Sequence, residues 1–201
     1  MKFNLQRLKR VKNVRIIVAL FISAIFFVAC SQNSETVKPL GEVRLEYPQA
    51  KYLEFNQNAP YTFKFSDFGY IKEGKQKDWY IIHYPKMKAN IYLTYFPINS
   101  KEDLIVKIKE SERFVQEQTV KASFISPQVF EFPKKRVFGT LYELGGQSAI
   151  NLQFHATDST SNFISGSVYF STAPKADSIA PAVEYIKKDV QQLIETLTWR
   201  K

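Results

Sequence analysis

Apolar positions along this chain first run unbroken, then alternate, then recur every three or four residues. The unbroken run is residues 16–29 (IIVALFISAIFFVA), interrupted only by Ser23. Alternation begins in the next apolar region. Val43, Leu45 and Tyr47 share one side, and Tyr52, Phe55, Tyr61, Phe63 and Phe65 follow in short runs broken by Pro48 and Pro60. Residues 78–84 (DWYIIHY) and 89–96 (ANIYLTYF) are dense in aromatic and β-branched side chains, which favour strands. The four residues Pro85-Lys86-Met87-Lys88 between them predict a hairpin. Over 100–121 the period becomes helical. Leu104, Ile108, Ser111 and Val115 form a stripe with Ile105 beside it, Ser100 is a good N-cap, and Glu102 and Asp103 suit the first turn. After Pro127 strands return: 129–132, 136–144, 149–157 and 162–172, separated by 133–135, 145–147 and 158–160, all of turn composition. The last element is a helix in which Ile179, Val183, Ile186, Val190, Leu193 or Ile194, and Leu197 keep one apolar stripe. Asp177 is its expected cap and Pro181 falls in its first turn, where no amide partner is needed.

Strands, helix, four strands and helix predict an α+β domain, an antiparallel sheet packed by two amphipathic helices. The element order resembles the PsbP-like α-β-α sandwich, which concerns topology and carries no function. Before this domain the chain divides twice. A basic segment, the apolar run and a small residue ahead of Cys30 make an export signal over 1–29. The apolar run is shorter than the roughly 20 residues a transmembrane helix needs. Phe27-Val28-Ala29-Cys30 resembles the cleavage box of a bacterial lipoprotein, which makes Cys30 the lipid attachment residue. Residues 30–41 then read as a lipidated N-terminus and flexible tether, and 42–201 as a single α+β domain.

Composition changes one conclusion. The whole chain carries +9 and has a sequence pI of about 9.5, which would suggest an anionic partner. Six of its 28 basic residues and none of its 19 acidic ones lie in 1–15. From Cys30 onward there are 22 basic and 19 acidic residues, a balance of +3. The argument for nucleic acid therefore disappears, and the runs 72–77 and 134–136 read as solvated turns. Cys30 is the single cysteine. Once it is acylated no thiol remains for a disulfide, a metal or a nucleophile, so the domain rests on its core.

Candidate chemistry is sparse. A zinc site needs three or four ligands, and the histidines, His83 and His155, each sit within a β run, where a place on the sheet surface is expected. His155, Asp158 and Ser159 supply the residue types of a catalytic triad, but they are nearly adjacent and no G-x-S-x-G elbow accompanies them. Gly145-Gly146 is a turn without the Lys-Ser/Thr of a phosphate loop. No cofactor is expected, and the chain reads as a non-enzyme. Tyr80, Tyr84, Tyr92 and Tyr95 in the predicted hairpin form a possible interface, since tyrosine gives contact area with a polar tip. The competing reading is a face covered by a helix.

The stretches 44–52 (RLEYPQAKY), 83–98 (HYPKMKANIYLTYFPI) and 165–199, with the lipoprotein signal, are similar to the GldD family of gliding-motility lipoproteins. YPKMKA followed by IYLTY is the most specific part. The resemblance implies a lipid-anchored envelope protein of the gliding machinery, tied to type IX secretion, held in the membrane, expected to be the outer one, by its acyl chains. Its partners would be other envelope proteins of that apparatus, and its role that of a scaffold or adaptor. A small-ligand or lipid-binding module is the alternative, and a cryptic hydrolase a more distant one. The family implies no catalytic residues; only the lipidated cysteine carries over, to Cys30. Asp158-Ser159-Thr160 and Asp177-Ser178-Ile179 also resemble the O-glycosylation acceptor of exported proteins in gliding bacteria, making Ser159 and Ser178 the candidate acceptors.

Overall fold

The computed structural model describes residues 47–146, 148, 150–171 and 176–200. Three short strands come first: β1 (Tyr52–Glu54), β2 (Tyr61–Thr62) and β3 (Lys64–Ser66). Then follow β4 (Tyr70–Glu73), β5 (Tyr80–Tyr84) and β6 (Ala89–Pro97), helix α1 (Lys101–Gln116), β7 (Ala122–Phe132), β8 (Val137–Gly146), β9 (Ile150–Thr157) and β10 (Asn162–Phe170). Helix α2 (Ala176–Thr196) and a terminal β11 (Thr198–Trp199) complete the chain. Seven strands form one sheet in the order β4-β5-β6-β10-β9-β8-β7, every pair antiparallel. Two small ribbons, β1–β3 and β2–β11, stand apart from it.

The fold is therefore α+β, as the periodicities predict, but with a larger sheet than four strands and a hairpin suggest. Two meanders, β4-β5-β6 and β7-β8-β9-β10, are joined edge to edge by β6 pairing with β10, with Leu93 opposite Gly166. Alternate side chains of a strand point to opposite faces, and this sorts the two helices. One face of β9 presents Ile150, Leu152, Phe154 and Ala156, all fully buried. Leu152, Phe154 and Ala156 share a core with Ile186, Val190 and Leu193 of α2, with Phe65 of β3, and with Phe55 and Phe63 from the segments between the leading strands. The other face of β9 presents Asn151, Gln153, His155 and Thr157. There Gln153 and His155 meet Ser111 of α1. The helices thus lie on opposite faces of the sheet.

Helix α1 begins as expected: Ser100 Oγ accepts the amide of Asp103 at 3.1 Å, and Ser111 and Val115 of the stripe are buried. Helix α2 keeps its stripe from Val183 to Ile194, and Leu197, just beyond its end, is buried as well. Its start differs. The helix already includes Ala176, so Asp177 is not its cap and Pro181 lies inside it, beyond the first turn. Strand β7 also differs, since it starts at Ala122 and runs through Pro127. The physical reason is its place at the edge of the sheet, where a missing amide need not break the ladder. Gly145 and Gly146 belong to the end of β8; Gly146 takes φ +83, which glycine alone adopts without strain.

Among the described residues, no helix is long and apolar enough to cross a membrane. Cys30, the apolar run and the tether lie outside the described residues.

Candidate functional site

The α1-facing side of the sheet is where the domain leaves space. Strands β6 and β10 pair there with Tyr92 opposite Ser167, Thr94 opposite Ser165 and Phe96 opposite Phe163. Gln153 of β9 is opposite Ser167 on its other flank. The middle of this floor carries only small side chains, Thr94, Ser165 and Ser167. Its ends carry aromatic pairs: Tyr92 and Tyr169 meet edge to face at 5.4 Å, and Phe96 and Phe163 tilt at 6.5 Å. Helix α1 lies against β9 and β10 and supplies the wall. Small residues under a helix leave a gap that larger ones would fill. The result is a cleft of about 590 Å³, within the usual span of small-molecule sites, about 300–1,000 Å³.

The polar groups of the cleft are arranged unequally. Gln153 Nε2 donates to the Ser111 carbonyl at 3.2 Å. That carbonyl can only accept, which fixes the amide orientation. Gln153 Oε1 is then buried without a hydrogen-bond partner. Thr94 Oγ1 donates to the Ser165 carbonyl at 3.1 Å. On the helix, Lys107 Nζ donates to Glu110 Oε2 at 2.9 Å and lies 4.5 Å over the Phe96 ring. Arg113 is 3.7 Å from Glu117. Both cations of the rim therefore have an acid beside them.

Of the two histidines, His155 is not a surface residue of the sheet. His155 is buried under α1, stacked on Phe163 at 5.7 Å, with Ser111 Oγ 3.4 Å from its Nδ1. Burial holds its pKa down to about 4. The expectation of a surface position fails because α1 covers the polar side of β9. His83 is half-buried, its Nδ1 2.6 Å from Asn90 Oδ1 and its ring edge-on to Tyr70. The two are held apart by register: His83 is level with Asn90 of β6, while His155, through Ser165, is level with Thr94. Among the described residues no group of three metal-ligating side chains gathers.

The His155, Asp158 and Ser159 set does not converge either. Asp158 Oδ1 accepts the amides of Thr160, Ser161 and Asn162, and Oδ2 accepts the Asn162 side-chain amide at 2.8 Å. Burial alone would raise this carboxyl, but these donors outweigh it and hold it down to about 2. Its acceptors are spent on the β9–β10 turn, where Ser159 takes φ +67 and is exposed. The Ser111–His155 pair was not legible in sequence because it spans 44 residues. At 3.4 Å, beside a base so weakened by burial, it lacks what activates a serine. Ser178 lies in α2, but its side chain is outside the described residues.

Nor do the four tyrosines share a face. Tyr80, Tyr84 and Tyr95 are on the α2 side and Tyr92 alone is on the cleft side. Tyr84 is 1% exposed, and Tyr80 is buried edge-on against Phe55 at 4.9 Å. Tyr95 is half-buried and donates to Asn162 Oδ1 at 2.8 Å. A partner could not reach the first two without opening the core. Tyr92, 40% exposed, is available. The sequence signal that could have found the cleft is the run of polar residues at alternate positions of β9 and β10 (Gln153, His155; Ser165, Ser167).

A family model described as gliding motility lipoprotein GldD matches residues 32–199. No curated protein matches the chain.

Proposed function

Since the chain belongs to the family of the gliding motility lipoprotein GldD, we propose that it is a non-enzymatic, lipid-anchored adaptor of the gliding machinery, linked to type IX secretion. Cys30 is its acylated residue and the outer membrane its site. Several acyl chains give stable attachment where one would not. The domain then holds an envelope protein of the same apparatus. Helices on opposite faces of one antiparallel sheet support the PsbP-like sandwich as the fold analogue.

One observation carries the adaptor reading. Six of the ten large apolar side chains exposed in the described residues lie between Ile105 and Val129: Ile105, Val106, Phe114, Val120, Phe124 and Val129. They belong to α1, to the edge strand β7 and to the segment joining them. Val129 and Phe124 lie on β7, whose outer edge is unpaired among the described residues, and an unpaired edge strand is a template for another chain. A photo-reactive residue at Val129, in cells of the native host, should crosslink to one envelope protein of the gliding or secretion apparatus. The same probe at Lys64, on β3, should not. Equal labelling from both positions, or none from Val129, would overturn the reading. Cys30→Ser should abolish fatty-acid labelling; continued labelling would remove the anchor from Cys30.

A second reading is favoured by the cleft itself. A small-ligand module requires a pocket between sheet and helix, and the space between α1 and β6–β10 supplies one of ordinary size.

A further inference from the structure

We propose that the cleft between α1 and the β6–β10–β9 face is a binding site for a neutral oligosaccharide. The inference rests on the small-ligand reading above and gives that ligand its chemical class.

Charge is the first discriminator. The rim cations are Lys107 and Arg113, and Glu110 and Glu117 stand beside them at 2.9 and 3.7 Å. An anionic ligand would have to displace these acids, and a cation would meet Lys107 and Arg113. A neutral ligand faces neither cost.

The floor is the second. An acyl chain would fit the aromatic ends but would cover the hydroxyls of Ser165 and Ser167 at the centre. Burying a polar group without a hydrogen bond costs about 1–3 kcal/mol on mutational scales. Among the described residues no hydrogen bond engages the hydroxyls of Ser165 or Ser167, which line the cleft. The ligand must therefore bring hydrogen-bonding groups to the middle of the cleft and apolar faces to its ends. A sugar does both. Its ring carries an apolar C–H face that lies on an aromatic side chain, and its hydroxyls donate and accept at once. Ser165 and Ser167 serve as donor or acceptor to the sugar hydroxyls; Tyr92, 40% exposed, is the platform at the open end.

The geometry also explains why β10 carries two serines where strand propensity favours larger residues. Ser165 and Ser167 sit in the middle of a seven-stranded sheet, directly under a helix. A large apolar residue there would close the cleft and bury more surface. Serine keeps it open and polar.

The test uses the full-length lipoprotein in nanodiscs of phosphatidylethanolamine and phosphatidylglycerol. Chitotetraose, cellotetraose and maltotetraose are titrated by calorimetry and by saturation-transfer NMR, and cis-parinaric acid by fluorescence. At least one sugar should bind. Ser167→Phe, which fills the floor, should weaken that binding at least tenfold without lowering the melting temperature. Should Ser167→Phe unfold the protein, Tyr92→Ala, at an exposed position, takes its place with the same expectation. Sugar binding that survives the variant in a folded protein overturns the site. Parinaric acid binding that the variant abolishes, with no sugar bound, overturns the saccharide class and leaves the ligand module standing. If no probe binds, both fall.

Discussion

Asp189 of α2 accepts the hydroxyl of Tyr52 in β1 at 3.0 Å, across 137 residues, while only 3% exposed. Tyr84 Oη and Ser66 Oγ are close to the same carboxylate, yet Tyr84 Oη and Asp189 Oδ2 are both buried without a well-formed hydrogen bond. Burial raises the Asp189 carboxyl above the ordinary range, against the smaller lowering by these three donors. A raised carboxyl holds its proton in the native state longer than in the unfolded chain. Its contribution to stability is complete below the unfolded pKa of about 3.9 and is lost as pH rises through the folded one. Asp189→Asn keeps an acceptor for Tyr52 and has no charge to bury. The variant should exceed the parent in stability at pH 7, and the gap should close as the pH falls toward 4. Urea denaturation across that range measures it. A variant weaker by the same amount at every pH would show that the carboxylate is not the strained group.

His155 titrates in the opposite sense. Its folded pKa of about 4 lies below the value of 6.5 for a free imidazole. The unfolded chain therefore binds the proton first as the solution is acidified. Stability from the neutral buried ring is intact above 6.5 and is lost as pH falls from there to about 4. At about 1.4 kcal/mol per unit the loss is on the order of 3 kcal/mol. His155→Leu should flatten the stability profile across this window. Chemical denaturation at pH 7 and pH 4.5 gives the comparison; an unchanged slope in the variant would assign the acid loss elsewhere.

Gly166 of β10 sits under the fully buried ring of Phe154. A Cβ at this position would stand 2.0 Å from a ring carbon. Gly166→Ala should therefore displace Phe154 from the core and destabilise the domain by about 1–3 kcal/mol, the usual cost of overpacking. Combining it with Phe154→Leu should recover part of that loss. Melting temperatures of the two single variants and the double variant decide the matter, and strict additivity would show that the clash is relieved elsewhere.

Ile186 on α2 is fully buried and Lys188, two residues on, is exposed. Ile186→Ala should cost about 2–5 kcal/mol through lost burial and the cavity left behind. Lys188→Glu should stay within about 0.5 kcal/mol, as surface changes do. Lys187 is a poorer control, because its ammonium donates to Glu143 of β8 at 2.6 Å. Thermal denaturation that ranks Lys188→Glu with Ile186→Ala would mean that α2 does not bury the face described.

Local period and local chemistry were enough to read the strands β8, β9 and β10, the Ser100 cap of α1 and the stripe of α2. Each of these depends on neighbours a few residues away. The α+β class followed from their order. What sequence could not decide was which polar faces meet water. The alternating polar residues of β9 read as a solvent-facing side, but α1 crosses that side and buries His155 and Gln153. Asp189 carried a readable warning, since it falls three residues after Ile186 and four before Leu193, on the apolar stripe itself. The pairing of β6 with β10 was beyond sequence, because it joins two meanders through residues some 70 positions apart, as in Thr94 Oγ1 to Ser165 O, separated by 71. That one pairing brings Tyr92 beside Ser167, and so the cleft belongs to the tertiary structure: it is the gap left where small side chains of distant strands are roofed by one helix.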